Sequence, residues 1–328
     1  MRLRRRSATR TRSAASTAME VVGPDAAAQL SSSGGVTRMG VPPVGVSGPV
    51  KVGSVEVTAV LDGGMVFAPT LFPKTSAEDA AKAQEAAFQE PGPIKAYLNT
   101  FVIKTGGKLI LVDSGYGGEG GASVGKLMKN LMVAGYTPAD FTDIYLTHAH
   151  PDHVSGLVDV AGGMVFPKAQ LRLNETELQF WFDDAALAKA PEGAKGLFAA
   201  ARKALTPYKE AERVATFKGG ADLGQGISTI NLAGHTPGHS GFRIADGKEQ
   251  LVIWGDIVHA PVLQFAHPDW SIAFDTDAAQ AAETRAKIFD EMATDRVRVA
   301  GMHLVFPALG HVSKAGTGYV YTPQIWEL

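Results

Sequence analysis

The stretch His148-Ala149-His150-Pro151-Asp152-His153 places three histidines and an aspartate within six residues, in a chain of 328 residues that holds nine histidines in all. It follows DIYLT (143–147), an apolar run that reads as a strand. Two apart in extended chain, His148 and His150 point to the same side. Pro151 then favours a helix start and presents Asp152 and His153 from its first turn. Imidazole nitrogens and a carboxylate converging in this way suit a divalent zinc, manganese, iron or cobalt ion. Chance would produce such an HxHxDH pattern in roughly a few per ten thousand chains of this composition. Without a cation, four polar groups packed so closely would go unsatisfied.

Outward from this cluster, short apolar runs alternate with helical patterns. VEVTAVLDGG (55–64), LILVDSG (109–115), ISTINLAG (227–234), LVIWGD (251–256) and VRVAGMH (297–303) read as strands. SAEDAAKAQEAAFQE (76–90), VGKLMKNLMVAGY (124–136), TPADF (137–141), NETELQFWFDD (174–184) and a segment over 277–293 read as helical. In the fourth of these, Asn174 is expected as N-cap, with Glu177 completing a capping box. The alternation predicts an α/β fold, or α+β layers.

The strand ends supply further candidate ligands. His235 follows ISTINLAG within GHTPGH (234–239), Asp256 ends LVIWGD and His303 ends VRVAGMH. Polar groups at the carboxyl ends of strands lie where α/β sheets place their sites. Asp256, with two carboxylate oxygens, is the natural bridge between two cations.

Composition excludes several classes of function. A net charge of −2 argues against a nucleic-acid surface as the main partner. No apolar run reaches the ~18 residues that span a bilayer. The absence of cysteine excludes disulfides and thiolate metal sites. Residues 1–50, opening MRLRRRSATRTRSAAS, lack periodicity and are expected to form an irregular N-terminal arm ahead of a catalytic domain over 51–328. The arm has no apolar signal core, which reads as cytoplasmic as written. No GxSxG elbow, P-loop or GxGxxG fingerprint accompanies the cluster.

HxHxDH, the strand-end histidine of GHTPGH, a strand-end aspartate and a late histidine together resemble the metallo-β-lactamase-fold hydrolase superfamily. LVDSG, TPADFTDIYLTHAHPDHVSGL, WGDIVHAPVLQF and LVFPALGH resemble in particular its methyl parathion hydrolase-like branch of lactonases and aryl esterases. The resemblance implies an αββα sandwich with two divalent ions, zinc first, at one edge. It implies His148, His150 and His235 around one ion, Asp152, His153 and His303 around the other, and Asp256 between them. Asp152 and Asp256 would then be the catalytic carboxylates. Asp113 would orient a ligand histidine, and His239 would support the site off the metals. It also implies a homodimer, and a periplasmic or secreted location as the alternative to a cytoplasmic one. Two ions ~3.5–4 Å apart lower the pKa of a shared water and polarise the scissile bond.

The substrate is expected to be a small apolar or aryl ester-type molecule: an organophosphate triester, a lactone or an aryl ester. Phe67, Phe72, Trp181, Phe198, His259 and Trp270 are the expected lining. Two departures from methyl parathion hydrolase weigh against efficient phosphotriester hydrolysis. GYGGEGG (115–121) offers only Tyr116 where the relative has an aromatic loop, and His259 replaces an aliphatic residue. The alternatives are a β-lactamase, a glyoxalase-type thioesterase or an iron redox enzyme on the same fold. The ending YVYTPQIWEL lacks the basic cluster that the thioesterase would carry.

Overall fold

The computed structural model describes residues 45–119 and 122–324. They belong to one compact unit, Val41–Leu328. Up to residue 44, the expected arm lies outside the described residues; beyond it the chain already runs along the first sheet, with Val46 bridging Val60.

Two seven-stranded sheets form the centre. The first takes its strands in chain order: β1 (Val50–Val52), β2 (Val55–Phe67), β3 (Ile94–Thr105), β4 (Lys108–Val112), β5 (Asp143–Tyr145), β6 (Gln170–Asn174) and β7 (Val214–Phe217). The second holds β8 (Asp222–Gly224), β9 (Ile227–Asn231), β10 (Ser240–Asp246), β11 (Glu249–Ile253), β12 (Arg298–Ala300), β13 (Leu309–Ala315) and β14 (Gly318–Pro323), also in chain order. β4 to β7 run parallel, as do β11 and β12, and the remaining pairs are antiparallel.

The helices are α1 (Ala77–Ala86), α2 (Leu127–Val133), α3 (Pro151–Val154), α4 (Glu175–Phe182), α5 (Asp184–Lys189), α6 (Glu192–Glu210), α7 (Pro261–Gln264) and α8 (Ala278–Asp295). Period-two alternation places them. Ile110, Val112 and Tyr145 turn inward and pack with Phe242, Ile244 and Trp254 of the second sheet. Their neighbours Leu111, Ile144 and Leu171 turn outward onto Leu131 of α2, Val154 of α3, Trp181 of α4 and Phe198 and Tyr208 of α6. Ile288, Phe289 and Met292 bring α8 onto the second sheet. Each such buried side chain contributes about 1.5–3 kcal/mol. The result is the expected αββα sandwich. TPADF, expected as a helix start, closes as a single 3-10 turn at Pro138–Asp140, capped reciprocally by Thr137 and Asp140.

This topology gathers the site at one edge. β4 and β5 run parallel in the first sheet and β9, β11 and β12 run the same way in the second, so Asp113, His148, His235, Asp256 and His303 all follow carboxyl ends of strands. Cross-links hold the ends together. Ser240 N donates to Thr147 O at 2.9 Å, and the Asn99 side chain donates to Met302 O and Leu304 O, each at 2.8 Å.

Candidate metal centre

Two groups of side chains converge, and a third, of His235, Asp256 and His259, overlaps both. His148, His150 and His235 form one; Asp152, His153, Asp256 and His303 form the other, each with its donor atoms within 4.8 Å of one another. Asp256 Oδ2 joins the groups, lying 3.1 Å from His303 Nε2, 3.3 Å from His153 Nε2, 3.4 Å from His235 Nε2 and 3.7 Å from His148 Nε2. Asp152 Oδ2 lies 3.4 Å from His153 Nε2 and 3.5 Å from His303 Nε2.

Hydrogen bonds on the far side of each ring decide which nitrogen faces inward. His153 Nδ1 donates to Asp113 Oδ2 at 2.7 Å, His235 Nδ1 to Asp275 Oδ1 at 2.8 Å, and His303 Nδ1 to Tyr97 O at 2.8 Å. Thr147 Oγ1 donates to Asp113 Oδ2 and therefore accepts from His148 Nδ1 at 3.0 Å. Each ring thus directs Nε2 into the cluster. His150 Nδ1 sits between two of them, 3.1 Å from His148 Nε2 and 3.0 Å from His235 Nε2. One proton on His150 cannot satisfy three converging nitrogens, whereas one cation can. In the other group, His153 Nε2 and Asp256 Oδ1 are buried and make no hydrogen bond among the described residues. The donor set therefore fits divalent metal ions.

The electrostatics divide the rings, with His148 and His150 lowered and His153, His235 and His303 raised. Burial, with the neighbouring imidazoles, pushes His148 and His150 well below the ordinary histidine range. Burial also opposes charge on His235, but hydrogen bonds to Asp256 and Asp275 outweigh it and raise this ring to about 9. Burial disfavours ionised Asp256, yet the surrounding histidines hold its carboxyl well below the usual range.

His239 stands behind the centre. Its Nδ1 donates to Leu232 O at 2.9 Å, and its Nε2 accepts from the Asp256 backbone N–H at 3.0 Å. Burial lowers it to about 3, so it stays neutral and fixes the backbone that carries Asp256. Gly255, at φ +59°, is required beside it, because a Cβ there would lie 2.4 Å from His239 Nε2.

The centre lies in a cleft of about 280 Å³, lined by Met65, Phe67, Tyr116, His150, Pro151, Asp152, Leu197, His235, Asp256, His259 and Phe274. Of the six residues expected to line it, Phe67 and His259 do. The His259 Nε2 reaches Asp256 Oδ2 at 3.1 Å, and its ring stacks on His303. The other four lie off the lining. Phe72 and Trp270 pack with the cluster around Ile94 and Leu263, while Trp181 and Phe198 are buried beneath α4 and α6. Trp181 still meets the ring of His150 edge-on, with centroids 5.5 Å apart. Aromatic residues that bury fully at helical spacing serve the core, and sequence spacing alone does not separate the two uses.

Three buried carboxylates escaped the sequence reading. Asp275 orients His235. Asp62, displaced by a bulge between Leu61 and Gly63, accepts from the backbone N–H groups of Tyr116, Gly125 and Leu127, pinning the loop that bears Tyr116. Glu177 was expected to cap its own helix. Asn174 instead caps alone by accepting from Thr176 N, and Glu177 turns inward. A lone acid on an otherwise apolar helical face was the available signal.

This fold and donor set define a metal-dependent hydrolase. The profile of the metallo-beta-lactamase superfamily matches residues 96–303, and the chain belongs to that superfamily. Among solved structures it is similar to the hydrolase AbOPH of the beta lactamase superfamily, with a TM-score of 0.80 and 35% identity over 85% of this chain and 97% of that one. It is also similar to AidC, described as a dizinc quorum-quenching lactonase in complex with the product N-hexanoyl-L-homoserine, with a TM-score of 0.79 and 29% identity over 86% of this chain and 98% of that one. A curated relative in Mycobacterium tuberculosis, named as a probable metallo-hydrolase, is 23% identical over 178 residues, 48% of this chain. The match spans 56% of that relative's length. Among the described residues, no helix is long and apolar enough to cross a membrane.

Proposed function

We propose that this chain is a dinuclear hydrolase that opens lactones and aryl esters of small apolar molecules, with His148, His150 and His235 holding one ion, Asp152, His153 and His303 the other, and Asp256 shared. The observation that carries this reading is the set of inward-facing nitrogens at the floor of an apolar cleft. When bound, the two ions supply a hydroxide nucleophile at neutral pH and polarise the oxygen of the scissile group. Nitrogen and oxygen donors of this kind accept zinc, the ion proposed here, and the likeness to a dizinc lactonase supports both the metal and its count.

The protein's own groups do the rest. Asp113, Thr147, Asp275 and the Tyr97 carbonyl hold protons on the outward ring nitrogens, which aims each Nε2 into the cluster. Met65, Phe67, Leu197 and Phe274 exclude water and hold the apolar part of the substrate. A cleft of about 280 Å³ admits a substrate of modest size. His259 narrows it beside Asp256, which favours a planar carbonyl substrate over a bulky tetrahedral phosphotriester. We also carry over the homodimer implied by the family resemblance, which light scattering on the purified chain would check.

The test compares the zinc-loaded protein on an aryl lactone and on a methyl p-nitrophenyl phosphotriester, before and after chelation. The expected result is a dominant lactone rate abolished by the chelator. A dominant triester rate would reverse the substrate order, and rates unaffected by metal removal would refute the mechanism.

A further inference from the structure

Glu177 is fully buried on the first turn of α4, outside the proposed ligand set. Its Oε1 accepts from Ala149 N at 3.0 Å and from Trp181 Nε1 at 2.6 Å. Its Oε2 accepts from Thr236 Oγ1 at 2.7 Å and from Gly238 N at 2.9 Å. Ala149 lies between His148 and His150; Thr236 follows His235, and Gly238 precedes His239. One carboxylate therefore ties two loops, from different sheets, that carry three histidines of one group. The loops approach α4 so closely that a Cβ on Gly238 would lie 2.3 Å from Glu177 N, which accounts for glycine at that point in GHTPGH.

We propose that Glu177 is a positioning residue that sets the spacing of His148, His150 and His235 and thereby controls the affinity of the ion they hold, while leaving the ion of Asp152, His153 and His303 largely unaffected. The chemistry is selective because three of the four partners can only donate. A glutamine at this position must turn its NH2 toward one pair. On one side it meets Ala149 N–H and Trp181 Nε1–H; on the other it meets Gly238 N–H, with only the Thr236 hydroxyl able to reverse. Either orientation leaves at least one donor facing a donor and weakens the tie between the two loops. The second group is anchored elsewhere, by Asp113 and the Tyr97 carbonyl. Trp181 gains a role from the same contact, since its indole is held edge-on to His150.

The inference rests on the two-ion reading, and the experiment separates them. Zinc-loaded full-length protein is dialysed against graded chelator, and zinc per chain is measured by mass spectrometry, with circular dichroism reporting the fold. Wild type should retain two ions to a common chelator level. Glu177→Gln should lose one ion at about 10- to 100-fold less chelator, the range for lost supporting contacts, and keep the other as wild type does. Release of both ions at the wild-type level, or of both early and in parallel, would overturn the selective role. A wild-type stoichiometry of one would refute the two-ion reading and the inference with it. Should Glu177→Gln not fold, Thr236→Val retains the carboxylate and removes one donor. It should shift the same single ion by a few-fold, and an unshifted profile would overturn the proposal.

Discussion

Replacing Asp113 by asparagine tests the orientation of His153 with almost no change of shape. Asp113 lies at φ +59°, a conformation that asparagine tolerates well, so backbone strain should not intervene. Its Oδ1 accepts from Thr147 N at 2.8 Å, and that partner can only donate, so the asparagine oxygen must remain there. The amide nitrogen then occupies the Oδ2 position, 2.7 Å from His153 Nδ1. A donor facing a donor forces His153 to carry its proton on Nε2, the atom aimed at the second group of ligands. Loss of the charged hydrogen bond removes about 1.5–3 kcal/mol. That matches the ~10- to 100-fold drop in metal affinity found when supporting carboxylates are lost. The assay is metal release under graded chelator beside lactone turnover at saturating zinc. Because the same amide nitrogen also meets Thr147 Oγ1, the acceptor of the His148 Nδ1 proton, both ions should be lost at less chelator than in wild type, with turnover partly restored by excess zinc. Wild-type affinity for both ions in Asp113→Asn would refute the reasoning, because the ring would then not need its outward proton held.

Asp256→Asn should weaken both ions and lower kcat/KM by roughly 100-fold or more, since it removes a charge shared by both groups; near-normal turnover would sink the bridging assignment. Phe274→Ala changes a half-exposed ring on the cleft wall, so KM for an apolar ester should rise about five-fold, with stability moved by less than about 0.5 kcal/mol. An unchanged KM would remove Phe274 from the substrate site. The metal-free protein should bind zinc more tightly as pH rises. His235 titrates near 9 in the fold against an ordinary 6.5, so the stability gained from its protonation is present below about 6.5 and lost as pH passes 9. Zinc must displace that proton, and calorimetry in two buffers of different ionisation enthalpy should show proton release at pH 7.5. No release there would contradict the raised value.

The ligand types and their sheet context were legible in the sequence because local rules generate them. Period-two runs such as LILVDSG and ISTINLAG became strands, and proline after His150 started the turn that presents Asp152 and His153. Several elements were not legible. α6 contains Gly193, Gly196 and Pro207, residue types that disfavour a helix interior, yet tertiary burial of Phe198, Leu205 and Tyr208 holds it as one helix. The use of each aromatic residue was equally hidden: Trp181 and Phe198 have the composition of a pocket wall but the placement of a core.

By itself the sequence determined which atoms could bind metal and that strands would deliver them, since residue chemistry and two-residue periodicity are local properties. How those atoms meet was set by the packing of the two sheets. Asp113, Asp275, His239 and the Tyr97 carbonyl choose the direction in which each ring or strand end faces, and Glu177 joins one ligand loop 28 residues before it to another 59 to 61 residues after it. Such contacts pair groups remote in sequence, so their geometry exists only once the two sheets have packed.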